Sequence, residues 1–129
     1  MLLGFDNGFV ITNIFGENNV FKDSVIENII YQPLDYRITM TVLTICNVIN
    51  PPKKWTEWDV VALNIDFFGV RELKTNINHA IIHVGKINII KESNNYILEI
   101  LEENRSSIWA KFTIARIQRV TPIKHDIKL

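Results

Sequence analysis

Cysteine is almost absent from this chain. Cys46 stands alone, which excludes an intrachain disulfide and any paired CxxC site. It sits in the strand-like run Thr-Ile-Cys and there reads as a small buried apolar residue, not a nucleophile. Charge of either sign is not in excess: 14 basic and 14 acidic side chains give a formal net charge of +0. Composition therefore offers no electrostatic footprint for nucleic acid or an anionic membrane. No apolar run approaches the roughly 20 residues of a membrane helix. The opening MLLGFDNGFV has no basic leading region, and Asp6 and Gly8 interrupt it, so it is not read as a signal peptide. A cytoplasmic chain is the simplest expectation. Phosphate loops and nucleophile elbows are missing too. Ser24, Ser93, Ser106 and Ser107 lack the glycines that flank a strained nucleophile. Neither an enzyme nor a cofactor is expected.

What is present is a β-rich chain. Its 129 residues suit one domain over 1–129, long enough to bury about two-thirds of its unfolded surface. An apolar content of 47% argues against disorder. Isoleucine, valine and threonine are plentiful, and β-branched side chains favour extended backbone. Residues 9–15 suit a short helix or a 3₁₀ turn ended by Gly16, and Glu17, Asn18 and Asn19 read as a loop. Strands are expected over 24–31 and 37–46, joined as a hairpin by Pro33-Leu34-Asp35. Ile38, Met40 and Val42 share one face, opposite Arg37, Thr39 and Thr41. Pro51-Pro52 breaks the chain. Further strands are expected over 60–68, over 77–91 as one or two around Gly85, and over 96–102 after a turn at 93–95. A bent last strand is expected over about 107–121, its apolar parity switching between Ile114 and Ile117. Six or seven strands at this spacing indicate a mainly β fold. The form is an antiparallel sandwich or curled sheet with at most one short N-terminal helix. The polar end, 124–129, is expected to fray.

Few residues suggest chemistry. His79 and His83 form HAIIH, but the glutamate of the helical zinc motif is replaced by Ala80. On a strand, residues four apart stand about 13 Å apart, too far to share one zinc, so no metal is expected. Asp23 and Glu27 have no histidine close in sequence, and Lys22 alone does not complete acid–base work. Asp23, an acid among apolar residues, suits a turn in which its carboxylate accepts backbone N–H bonds. On that basis Asp23→Ala would lose about 1–3 kcal/mol. Asp66 is expected on the solvent side of its strand. Trp55 and Trp58 follow two prolines and two lysines. Loop tryptophans either cover the open end of a core or anchor a partner. With Lys54 they form the candidate partner-binding residues. Lys53 and Lys54 alone are weak grounds for single-stranded nucleic acid.

The order of features resembles a known family. Ile11, Ile14, Phe15 and Gly16 form a near-N-terminal "I-x-x-hydrophobic-F-G". Phe21, Asp23, Ser24, Ile26 and Ile29 follow as "F-x-D-S-x-I-x-x-I". A hairpin, a tryptophan loop, Phe67-Phe68-x-Val70 and a late Val120-Thr121-Pro122 complete the pattern. This is similar to immunity protein family fifty of bacterial polymorphic toxin systems. Asn18-Asn19 and Lys22 stand where that pattern often has tryptophan-proline and histidine. Phe15, Gly16, Phe21, Asp23 and Ser24 would be its structural motif. The resemblance implies a cytoplasmic antidote that binds a cognate toxin domain stoichiometrically, with no catalysis and no nucleic-acid or membrane partner. A small-ligand β-module and a structural subunit are the alternatives.

Overall fold

The computed structural model describes residues 2–103 and 105–124; the last five residues of the polar tail lie outside them. Helix α1 spans Phe9–Phe15. Nine strands follow among the described residues: β1 (Ser24–Gln32), β2 (Arg37–Thr44), β3 (Val60–Phe68), β4 (Glu72–Thr75), β5 (Ile82–Val84), β6 (Lys86–Glu92), β7 (Asn95–Glu102), β8 (Arg105–Phe112) and β9 (Ile114–Ile123). They form two antiparallel sheets, ordered β5-β1-β2-β3-β9 and β4-β8-β7-β6. The mainly β, antiparallel expectation holds, with the short helix and the β1–β2 hairpin where the sequence placed them.

Alternation builds the core. Ile38, Met40 and Val42 of β2 and Leu63, Ile65 and Phe67 of β3 point inward. They meet Leu98 and Ile100 of β7 and Ile108, Ala110 and Phe112 of β8. Each such aliphatic residue taken from water contributes about 1.5–3 kcal/mol. Phe67 and Phe112 stack edge-on with centroids 5.1 Å apart. A small second cluster of Leu43, Val60 and Ala62 lies apart from this core, so β3 is buried on both faces at its start.

Two crossings carry the chain between the sheets at one corner. At Gly69, with φ 72, β3 hands over to β4. Phe68 there accepts the Thr113 N–H at 2.8 Å. At Thr113, β8 hands over to β9. The expected single bent strand over 107–121 is therefore two strands in different sheets. A bulge does exist, slightly later: Ile65 pairs Ile117 and Asn64 pairs Arg119, leaving Gln118 extra. β4 is a strand the sequence did not announce.

The N-terminal segment is stitched to β9. Ala115 donates its N–H to Gly4 at 2.7 Å and accepts that of Asp6 at 3.0 Å. The buried Asn7 amide donates to Ile117 C=O and accepts its N–H, both at 2.8 Å.

Candidate functional site

The candidate surface is assembled from α1, the turn that follows it and the loop between β2 and β3. α1 buries Ile11 and Phe15 and stops at Gly16, whose φ of 66 suits glycine and whose N–H donates to Thr12 at 2.8 Å. A helix end leaves carbonyls without partners. Here the Ile14 carbonyl is used by the β2–β3 loop: it accepts the N–H groups of Ile49 and Asn50 at 2.9 and 3.0 Å. Asn18 adds a side-chain bond to the Asn47 carbonyl at 3.3 Å. The motif turn and the tryptophan loop are thus one unit.

Within that loop the prolines end the extended backbone, and Trp55 N–H closes a turn on Pro52 C=O at 3.0 Å. Trp55 and Trp58 meet edge-to-face, centroids 5.4 Å apart and planes at 71°. Both indoles are half-buried and pack against the main core, while Lys53 and Lys54 are exposed. Ile45 and Ile49 of the same loop are exposed. Trp58 and Ile45 line a hollow of about 170 Å³ beside half-buried Cys46. Burial pushes the Cys46 thiol up, opposed by its weak bond to the Asn47 carbonyl. The arrangement offers apolar and aromatic contact area flanked by two cations, with no nucleophile–base pair.

The rest of the motif is a tight turn. Phe21 is buried and donates its N–H to Asn19 Oδ1 at 3.1 Å. Ser24 is fully buried, and its hydroxyl donates to the Phe21 carbonyl at 2.7 Å. Asp23 differs from expectation. Its side chain is exposed, and among the described residues its carboxylate accepts no hydrogen bond. Its contribution is backbone: φ is 60, and its N–H donates to Val84 C=O at 3.0 Å. Aspartate tolerates this left-handed conformation better than most residues. The carboxylate cap is corrected to a backbone role. Glu27, exposed, is the extra residue of a bulge in β1.

Asp66 also corrects the sequence reading. It is buried, 3% exposed, on the outer face of β3. Thr39 and Gln118 donate to its two oxygens at 2.7 and 2.9 Å, and Arg37 approaches at 3.2 Å. The bulge in β9 is what aims Gln118 there. With Asp66 on β3 and its partners on β2 and β9, the cluster spans three strands, so no local pattern could reveal it.

Two larger depressions flank the sandwich. One, about 720 Å³, is lined by His79, His83, Glu102 and Arg105. Buried Glu102 there accepts the His83 backbone N–H at 3.1 Å and the Ser107 hydroxyl at 2.7 Å. Among the described residues no three histidine, cysteine or acidic side chains gather as a metal ligand set. The other, about 690 Å³, is a cleft between the α1 side and β6. Behind it the space between the sheets is only about 10 Å³.

The family model described as Immunity protein 50 matches residues 7–123, nearly the whole chain, and the chain belongs to that family. No curated protein and no solved structure matches it. Among the described residues no helix is long and apolar enough to cross a membrane.

Proposed function

We propose that this member of the Immunity protein 50 family is a non-enzymatic cytoplasmic antidote. It binds a cognate bacterial toxin domain one to one and blocks the domain's activity. The match over residues 7–123 carries this reading. The surface is compatible with it: the tryptophan loop offers aromatic anchors of the kind that dominate interface energetics. Trp55, Trp58 and Lys54 are the proposed contacts, on a loop held by the Ile14 carbonyl and the Asn18 side chain, while Phe15, Gly16, Phe21, Asp23 and Ser24 form the structural motif beside it. A small ligand would have to use one of the two open depressions of about 720 and 690 Å³, because the cavity between the sheets, about 10 Å³, holds no more than one water.

Affinity capture of the tagged protein from its source cells, followed by mass spectrometry, tests the reading. Stoichiometric recovery of a toxin domain whose toxicity is suppressed by co-expression supports it. Recovery of the bait alone, from cells shown to make such toxins, would overturn it. Trp55→Ala and Trp58→Ala are then expected to weaken the complex at least tenfold. The check is calorimetric titration of variants whose melting curves show them folded. Unchanged affinity in both would remove the loop from the interface.

A further inference from the structure

Most free edges of the two sheets are blunted. β5 is three residues long and β4 four. β9 carries the Gln118 bulge and Pro122, and its first residues are covered by the N-terminal segment. β1 beyond Ile26 starts at the Glu27 bulge. Short strands, bulges, proline and charged side chains are devices by which sheets avoid pairing with foreign strands. β6 has only the last, with Lys86 at one end and Lys91 and Glu92 at the other. Its seven residues contain no proline and pair β7 without a register break. Among the described residues no strand pairs its outer edge.

The backbone geometry of that edge coincides with the cleft beside it. β6 and β7 are joined through Ser93-Asn94, with Ser93 at φ 58. A two-residue loop of this kind closes on a mutually bonded pair, here Glu92 and Asn95. Alternation from that pair turns the N–H and C=O of Ile87, Ile89 and Lys91 away from β7. Ile87 and Ile89 also pack inward against the core and form one wall of the 690 Å³ cleft. Phe5, Phe9, Val20 and Phe21 supply apolar lining elsewhere, and Asp6 and Glu17 stand on its polar part. Directly opposed residues of paired strands share a face. A strand added to β6 would therefore place every second side chain in the cleft. Lys86 and Lys91, both exposed, mark the two ends of the edge. Gly16 lines the cleft, and Ile14 two residues before it bonds through its carbonyl to Ile49 of the tryptophan loop, so one partner can reach both.

We propose that β6 is the docking edge for an extended segment of the toxin domain. The segment joins the second sheet as a fifth strand, with apolar side chains at alternate positions in the cleft and acidic residues toward its ends. This rests on the antidote reading and adds the surface to it.

The test uses the full chain and the toxin domain recovered by the affinity capture above, the latter inactivated in its own active site. Amide hydrogen exchange is followed with and without that domain. At least tenfold slower exchange at Ile87, Ile89 and Lys91 is expected in the complex. Ile89→Lys, which drives a charge into the cleft, is expected to weaken binding at least thirtyfold; Ile90→Lys, on the opposite face, less than threefold. A complex that forms while those three amides exchange unchanged would overturn the edge proposal and leave the antidote reading standing. Wild-type protein that binds no toxin domain overturns both. Protection of the same amides that rises with the protein's own concentration, without toxin, would assign the edge to a second copy and overturn the proposal.

Discussion

Asn7 acts as a piece of backbone. Its side-chain amide donates to and accepts from Ile117 as a strand neighbour would. Both bonds are buried, so Asn7→Ala leaves an N–H and a C=O without partners and is expected to cost about 2–4 kcal/mol by urea denaturation. A loss below about 1 kcal/mol would mean water replaces the amide. Asp23 makes the opposite case: the side chain is free and the backbone is special. Asp23→Ala should cost about 1 kcal/mol for its left-handed φ, and Asp23→Gly nothing. If both variants lose the same stability, the carboxylate matters after all. Neither behaviour is visible in the residue types. An asparagine near an N-terminus reads as loop, and an acid among apolar residues reads as a cap.

At the scale of elements, the corner where the sheets exchange strands depends on Gly69. A Cβ there would run into the Thr113 side chain, and φ is 72. Gly69→Ala is expected to destabilise by about 2–4 kcal/mol, from strain and crowding together, checked by thermal melts. A loss under about 1 kcal/mol would show that Thr113 can move aside. The strand expected over 60–68 stops just before Gly69, but the sequence could not show the crossing at Thr113. Threonine is a good strand former, and neither glycine nor proline punctuates residues 107–121. β4, Glu-Leu-Lys-Thr, was missed because four residues with one half-buried leucine carry no alternation to read. The bounds of β3 and α1, by contrast, were legible, since alternation from Leu63 to Phe67 marks the strand and Gly16 closes the helix. The tryptophan loop was legible as a loop, through its paired prolines. Its attachment to α1 was not, because the Ile14 carbonyl bonds leave no trace in side-chain identity.

For the whole molecule, balanced charge sets the expected kinetics of the proposed complex. With 14 basic and 14 acidic side chains there is no net field to steer a partner. Association with the toxin domain is expected near the unsteered range, about 10⁵–10⁶ M⁻¹s⁻¹. It should change less than about threefold between low salt and 0.5 M salt. Stopped-flow fluorescence of Trp55 and Trp58 would read this directly. A steep salt dependence would instead reveal a local charged patch at the interface.

The seam between the N-terminal segment and β9 also sets an order of events during synthesis. Asp6 and Asn7 bond to Ala115, Arg116 and Ile117, residues made more than a hundred positions later. At about 5–20 residues per second, the start of the chain waits several seconds or more for its partner to leave the ribosome. Until then the first sheet lacks its last strand and Phe5 has no bridge to Ala115. A chain stopped before Ala115 therefore lacks β9 and the seam with it, and the binding proposed above is expected to begin only once that strand has left the ribosome.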